Sequence, residues 1–107
     1  MGEHRAGQIA VIFVSARTDE DSEGYAAAAD AMVALAARQP GYRGIASARD
    51  PDGVGVTVSY WADEGSAKAW RDNPDHARIR DMGRERWYKW YELSVAEVQR
   101  DYAWRRG

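Results

Sequence analysis

The sequence of 107 residues contains no cysteine. Disulfide bonds, thiolate metal sites, cysteine nucleophiles and haem ligation through a thiolate are therefore excluded. Its two histidines cannot form a zinc site without carboxylates that no motif positions beside them. Dinucleotide-binding, phosphate-loop, H-E-x-x-H and nucleophile-elbow motifs are also absent, so hydrolases and nucleotide-dependent enzymes have no support.

The chain also lacks a large excess of one charge sign and any long apolar run. The 15 lysines and arginines and 17 aspartates and glutamates give a formal charge of −2, which provides no basic field for nucleic acid or an anionic membrane. The opening segment, MGEHRAGQ, lacks the apolar stretch of a signal peptide, and no run approaches the length of a membrane span. We expect a cytoplasmic protein with neither nucleic-acid nor membrane partners.

Phenylalanine is scarce, whereas the other aromatic residues are abundant. One phenylalanine stands against five tryptophans and six tyrosines. Trp and Tyr suit partly wet pockets and interfaces, because the ring packs while its N–H or O–H finds a partner. Tyr88, Trp90 and Tyr91 form a cluster in which dimer contacts and pocket lining are equally plausible.

Alternating and helical patterns predict the elements of the chain. The β-branched run IAVIFVSART at 9–18 is apolar in both registers, which is typical of a strand buried on both faces. The other predicted elements are a helix over 25–39 ended by Pro40 and Gly41, strands over 42–50 and 54–61 joined by a tight turn, a short helix over 63–72, a longer helix over 76–90 capped by Asp75, and a last strand over 91–101.

This order is the βαββαβ plan of a ferredoxin-like α+β fold, with helices on one face of a four-stranded antiparallel sheet. We expect a single domain over residues 1–107, with a core of about 9–101. About six apolar side chains left wet on the other face, at roughly 1.5–3 kcal/mol each, would cost on the order of 10 kcal/mol. A whole domain is stable by only about 5–15 kcal/mol. A second copy is therefore expected to cover that face, giving a homodimer with its sheets face to face.

Several segments in this order resemble a known family. The segments are QPGYRG before the second strand, GVTVSYW in the third, AWRDNPDHARIR across the helix pair, and GRERWYKWY leading into SVAEV. They are similar to segments of the antibiotic biosynthesis monooxygenases, which are dimeric α+β barrels. The likeness covers about residues 9–101 and implies a pocket between the sheet and the helices of each subunit.

The resemblance implies one of two chemistries. One branch oxygenates electron-rich aromatic polyketides, such as anthrones, with O2 and without metal or flavin. The other binds and degrades haem, using an Asn on the first strand, a Trp near the short helix and an axial His on the longer helix. Trp70 falls at the position of that Trp, but the first strand ends in Ser-Ala-Arg, and Arg80 stands where the His is expected. His76, one turn earlier, is the remaining candidate ligand.

His76 and Arg80 are the leading catalytic candidates. They share one helical stripe with Ile79, Gly83 and Trp87, and this stripe looks into the pocket if it faces the sheet. Histidine can take a phenolic proton near neutral pH without a large shift of its pKa. The alternative is that His76 is a solvated residue in the first turn of its helix.

The remaining candidates would form the wall of the pocket. Trp70, also assigned to catalysis, is either a core anchor or a surface on which a flat ligand lies. Trp61 and Ser59 share a small, mildly polar strand face and, with Trp87, are candidate substrate contacts. Arg17 completes this set, because a buried arginine needs an anionic partner, either a nearby carboxylate or a substrate phenolate.

The favoured hypothesis is a small monooxygenase acting on an electron-rich phenol or hydroquinone. The aromatic substrate would lie against Trp70 and Trp61, His76 would remove a proton, and Arg80 or Arg17 would stabilise the anion that reacts with O2. No cofactor is needed if the substrate supplies the electrons. Two alternatives stay open, a haem-binding or haem-degrading protein with His76 as ligand, and a non-catalytic dimeric binding or stress protein.

Overall fold

The computed structural model describes residues 4–107. In this part of the chain, strands β1 (Ile9–Arg17), β2 (Tyr42–Arg49), β3 (Val54–Trp61) and β4 (Tyr88–Glu97) form an antiparallel sheet in the order β2-β3-β1-β4. The helices are α1 (Ser22–Ala37), α2 (Glu64–Asp72) and α3 (Pro74–Met82). The predicted ferredoxin-like α+β plan is confirmed. No helix among the described residues is long and apolar enough to cross a membrane.

Helix α1 begins three residues before the predicted start. Asp21 is its N-cap, with φ at 54°, and the Asp21 side chain accepts a hydrogen bond from the backbone N–H of Gly24 at 3.2 Å. This bond satisfies one of the free N–H groups of the first turn, so the acidic segment before Tyr25 already belongs to the helix.

The junction between α2 and α3 is fixed by one side chain. The side-chain oxygen of Asn73 accepts hydrogen bonds from the backbone N–H groups of Asp75 at 2.9 Å and His76 at 3.1 Å. Pro74 follows at the first helical position, where its missing N–H costs nothing. The prediction that Asp75 caps this helix was therefore wrong, and Asn73 places His76 in the first turn of α3.

The predicted boundary between the last helix and the last strand was also wrong. Helix α3 ends at Met82, a single π-helical turn covers Gly83–Trp87, and β4 begins at Tyr88 rather than Tyr91. Pairing with β1 overrides the helical spacing of these residues, because Tyr88 pairs with Arg17. The aromatic residues at the start of β4 also favour a strand.

The two faces of the sheet have different surroundings. Val11 and Phe13 of β1 face the helices, where Ile9 and Trp61 belong to the main hydrophobic cluster. Ile12 and Val14 point to the opposite face, which we call the reverse face. Other members of the reverse face stay largely exposed, namely Val54, Val56 and Trp90 at 40%, 39% and 45%. β1 is therefore apolar on both sides, as the sequence indicates, and the described helices cover only one side.

Two glycines with nearly equal backbone angles allow a test of the loop that leads into β2. Gly41 has φ at 85° and Gly7 has φ at 88°, but only at Gly41 would an added Cβ collide with a neighbour, the Ser66 side chain. Ser66 shares the capping box of α2 with Asp63. We expect Gly7→Ala to cost about 1–2 kcal/mol of unfolding free energy from backbone strain alone. Gly41→Ala should cost about 1–3 kcal/mol more, from overpacking.

Urea unfolding of both variants measures this difference. Equal losses of unfolding free energy in the two variants would show that the methyl group added at position 41 does not clash with Ser66.

Candidate active site

A cavity of about 330 Å³ lies between the helix-facing side of the sheet and the three helices. Its walls are mainly apolar and include Val11, Phe13, Met32, Leu93 and Val95. A concave, mainly apolar cavity with a few polar groups is the usual form of a small-molecule site. The polar groups therefore decide what chemistry the cavity can perform.

One end of the cavity contains a stack of three rings. Trp61 is fully buried, and its ring lies 5.6 Å from that of Trp70 at an interplanar angle of 24°. Trp70 stacks in turn on the imidazole of His76, with centroids 4.1 Å apart and an angle of 22°. Trp70 is only 7% exposed, so its ring faces are covered. A flat ligand has no open face of Trp70 to lie on, and Trp61 does not line the cavity. Trp61 packs on Trp70, and Trp70 packs on one face of the His76 ring.

His76 is held as a neutral base. Its Nδ1 lies 2.8 Å from the backbone carbonyl oxygen of Trp70, and a carbonyl oxygen can only accept, so Nδ1 carries the hydrogen. The unprotonated nitrogen is then Nε2, on a ring that lines the cavity. Burial lowers the pKa of His76 below its ordinary 6.5, the Trp70 carbonyl opposes this shift, and the positive charge of Arg80 adds to it. His76 is therefore unprotonated at neutral pH and can accept a proton.

Arg80 is the second polar group at this end. Its side chain lines the cavity, and one terminal nitrogen donates to the backbone carbonyl of Arg71 at 3.3 Å. Its Nε is buried and has no hydrogen-bond partner among residues 4–107. A buried donor without a partner is costly and invites an acceptor from a ligand. Arg80 can therefore stabilise an anion beside His76.

The other end of the cavity contains two tyrosines that the sequence analysis did not assign to the site. Tyr25 was predicted only as part of the first helix, and Tyr88 belonged to the aromatic cluster for which pocket lining was one of two alternatives; both line the cavity. Burial raises the pKa of Tyr88 well above its ordinary value, and the neighbouring Tyr25 raises it further. Tyr88 is therefore a neutral donor. In the sequence, this end was signalled by the excess of tyrosine over phenylalanine and by the aromatic cluster that contains Tyr88.

A bulge decides which aromatic residues of β4 reach the cavity. The pairing of β1 with β4 shifts register between Ala16 and Arg17, opposite the start of β4. This shift lets Tyr88 and Tyr91 line the cavity together although they are three residues apart, while Trp90 remains 45% exposed. The aromatic cluster is therefore divided between the cavity and the reverse face.

The remaining predicted contacts are held by the protein itself. Ser59 lines the cavity but accepts a hydrogen bond from Trp61 Nε1 at 2.9 Å. Trp87 also lines it, is 2% exposed, and donates from Nε1 to a carboxylate oxygen of Asp21 at 3.2 Å. Their part in substrate binding is limited to the small surfaces that stay open.

Arg17 differs from both of its expected roles. It does not line the cavity, and it forms no salt bridge in the part of the chain that the structure describes. Its guanidinium lies 3.9 Å from the ring centre of Tyr25 and donates to the carbonyl of Thr18 at 2.6 Å. The expected ion pair is replaced by a cation–π contact, which an aromatic face supplies without a carboxylate.

The residues do not fit a haem-degrading site. The first strand ends without an Asn, and Ser15 near its end is fully buried and accepts a hydrogen bond from Arg49 at 3.0 Å. Trp70 is enclosed in its stack, so only His76 Nε2 remains of the haem-degrading set. Among the described residues, no group of three or more His, Asp or Glu could hold a metal ion.

Comparison with known proteins places the chain among related sequences. A family model described as antibiotic biosynthesis monooxygenase matches residues 8–82. Uncharacterized protein YqjZ of Bacillus subtilis (strain 168) is 44% identical over 91 residues, which are 85% of this chain and 79% of YqjZ.

Solved structures show the same fold at low sequence identity. SnoaB, a cofactor-independent oxygenase from Streptomyces nogalater, is 17% identical, with a TM-score of 0.76 over 88% of this chain and 95% of SnoaB. Rv0793 from Mycobacterium tuberculosis is 18% identical, with a TM-score of 0.73 over 83% of this chain and 92% of Rv0793. At these identities the likeness concerns the fold alone.

The neutral state of His76 predicts a pH dependence of stability. Because the folded pKa of His76 is lowered, the unfolded chain binds more protons between that pKa and 6.5. The stabilisation is therefore present above pH 6.5 and is lost as the pH falls through the folded pKa. Urea unfolding at about pH 7.5 and about pH 5.5 should show this loss, and His76→Gln should remove it.

His4→Gln is the matched control, since it deletes the other imidazole of the chain. Nitrogen-15 NMR of the wild type should also find Nδ1 protonated and Nε2 unprotonated at neutral pH. A pH dependence that survives in His76→Gln would contradict the assignment.

Proposed function

The chain belongs to the antibiotic biosynthesis monooxygenase family, and we propose that it oxidises an electron-rich aromatic with O2, without metal or flavin. The observation that carries this proposal is the pairing of a neutral base, His76, with an unpartnered buried donor, Arg80 Nε, in one apolar cavity. The description of SnoaB as a cofactor-independent oxygenase supports the same class of reaction.

The first step is proton removal by His76. An anthrone or hydroquinone has an acidic C–H or O–H, and Nε2 of His76 accepts this proton while Nδ1–H stays bonded to the Trp70 carbonyl. The stack with Trp70 fixes the direction of the ring, so Nε2 keeps its place when the proton arrives. In this proposal His76 acts as a general base whose ring keeps its orientation.

Arg80 stabilises the anion that results. Its unpartnered Nε–H donates to the phenolate or enolate oxygen, and its positive charge favours the anionic substrate. Because the cavity walls are mainly apolar, this interaction is less screened than it would be in water. Arg80 therefore lowers the barrier of the proton transfer that His76 performs.

The substrate then supplies the electrons for oxygen. The carbanion gives one electron to O2, and the resulting radical and superoxide combine to form a peroxide on the same carbon. His76 Nε2 returns its proton to the peroxide. If that carbon was a CH2 group, loss of water then leaves a ketone, so one oxygen atom enters the product and the other leaves as water. Four electrons leave the CH2 carbon and four are taken up by O2, so no further reductant is required.

A homodimer is part of this proposal. Ile12, Val14, Val56 and Val58 form paired rows on the reverse face, over which no described helix packs. A second copy across a two-fold axis would bury these rows against their equivalents. Since Val11 and Phe13 on the same strand line the cavity, a dimer would also hold the cavity floor in place.

The dimer is tested by a charge on the reverse face. Val56→Glu should raise the dimer dissociation constant at least about 100-fold, because the two-fold axis buries two unpaired carboxylates. Met82→Glu is the matched control, since Met82 is 37% exposed and Val56 39%, but Met82 ends α3. Analytical ultracentrifugation measures both. A monomeric wild type at micromolar concentration, or equal dimerisation of the two variants, would contradict the dimer.

The oxygenase reaction is tested with 1,8-dihydroxyanthrone in an oxygen electrode, with autoxidation subtracted. We expect His76→Gln to lower kcat by about 100-fold or more, the usual contribution of a general base. Arg80→Gln should lower kcat/KM by a smaller factor, and the rate should fall as the pH drops through the lowered pKa of His76. Arg78→Gln is the control, because Arg78 lies on the same helix and pairs with Asp75 at the surface.

Two outcomes would contradict the oxygenase. One is a wild-type rate in His76→Gln. The other is no O2 uptake with any of a panel of anthrones, hydroquinones and catechols, and binding without uptake would favour a non-catalytic binding protein.

A further inference from the structure

Gly83 is a glycine whose backbone angles do not require glycine. It begins the π-helical turn after α3 with φ at −62° and ψ at −41°, which are ordinary right-handed helical values. Alanine would favour such a conformation more than glycine does. Gly83 is also buried. What this position gains from glycine is therefore the space that a Cβ would fill.

That space is occupied by the ring of Tyr88. The backbone N–H of Tyr88 donates to the carbonyl oxygen of Gly83, which closes the π-helical turn and brings residue 88 back beside residue 83. A Cβ added at Gly83 would lie 2.7 Å from Cε2 and 2.9 Å from Cδ2 of the Tyr88 ring. Both distances are shorter than the optimal carbon–carbon contact of about 3.5–4.0 Å. The ring therefore packs directly on the glycine.

Three further aromatic rings border Tyr88. The ring centres of Phe13, Tyr25 and Tyr91 lie 5.4, 5.9 and 6.0 Å from that of Tyr88, and all three pairs are edge to face. These rings line the cavity together with Tyr88, whereas Gly83 does not line it. A Tyr88 ring displaced from Gly83 would therefore move toward these rings and into the space that they enclose.

We propose that Gly83 determines how long a ligand the cavity accepts, because it lets the Tyr88 ring stay back from the end opposite His76. The register of β1 separates the two ends, since its first residue pairs with Trp61 and its last with Tyr88. Trp61 belongs to the stack that contains His76. An alanine at position 83 would shorten the cavity without touching the base. This inference rests on the proposed function only in taking the cavity as the substrate site.

The experiment measures the binding of two aromatic sulfonates that need no turnover. Naphthalene-2-sulfonate and anthracene-2-sulfonate differ by one fused ring, and we expect their sulfonates beside the cations of α2 and α3 that line the cavity, namely Lys68, Arg71 and Arg80. By isothermal titration calorimetry, the wild type should bind the longer ligand roughly tenfold more tightly, since a further ring buries more apolar surface. Gly83→Ala should lose most of this preference and bind the shorter ligand within about twofold of the wild type, because only the longer ligand needs the space that Tyr88 would take.

The same substitution without the Tyr88 ring separates the role of Gly83 from general damage to the fold. In that background an added methyl group has no ring to displace, so Tyr88→Ala and Gly83→Ala/Tyr88→Ala should show the same preference for the longer ligand. Gly65→Ala is the matched control, because Gly65 lies within α2 and its added Cβ would meet Asp63 Oδ1 at 3.6 Å, an ordinary van der Waals distance. Gly65→Ala should keep the wild-type preference.

Nuclear Overhauser effects in the wild type test the proposal even if Gly83→Ala does not fold. Protons on the distal ring of bound anthracene-2-sulfonate should show these effects to the Tyr88 ring, assigned by their loss in Tyr88→Ala. Their absence would overturn the proposal, and so would equal affinity of the wild type for the two sulfonates. A folded Gly83→Ala that keeps the wild-type preference, or an equal loss of preference with and without the Tyr88 ring, would overturn it as well.

The result is independent of the oxygenase assay. Length selection through Gly83 in a protein without O2 uptake would support this inference and reject the reaction. O2 uptake together with an unchanged preference in Gly83→Ala would do the opposite.

Discussion

The stack of Trp61, Trp70 and His76 is the interaction on which the rest of the site depends. It uses two core tryptophans to set the plane of the imidazole, and the Trp70 carbonyl to set its tautomer. Asn73 and Pro74 place His76 in the first turn of α3, within reach of that carbonyl. Packing of the core and orientation of the imidazole are therefore coupled, because Trp70 supplies both the ring on which His76 stacks and the carbonyl that accepts from its Nδ1.

Polarity is distributed along the cavity in one direction. The end at His76 holds an imidazole whose Nε2 is unprotonated, while the end at Tyr25 and Tyr88 holds two phenolic hydroxyls, one of which accepts a hydrogen bond from Arg49 at 3.1 Å. Apolar side chains of the sheet lie between the two ends. A substrate with an acidic proton at one end would react in one orientation, since the base lies at the His76 end. Holding reacting groups in a fixed orientation is one way in which a protein lowers the barrier of a reaction.

The order of the elements could be predicted from the sequence because hydrophobic periodicity and the positions of helix-breaking residues are local properties. The two-sided apolar pattern of β1 and the breakers at Pro40 and Gly41 were sufficient for that. The cap at Asn73 and the early start of β4 were missed, because one depends on side-chain geometry and the other on pairing with β1. His76 and Arg80 were identified through their helical spacing. Tyr25 lies in α1 and Tyr88 begins β4, and no local pattern connects residues so distant in the sequence.

The register shift between Ala16 and Arg17 determines which side chains of β4 lie on the cavity side of the sheet and which lie on the reverse face. In a regular ladder, residues three apart such as Tyr88 and Tyr91 would face opposite sides. The shift in register gives both tyrosines to the cavity and leaves Trp90 exposed near the apolar rows of the reverse face. Removal of the bulge would move an aromatic ring from one surface to the other. The positions of Tyr88 and Tyr91 in the cavity and of Trp90 on the reverse face are therefore set by the same irregularity.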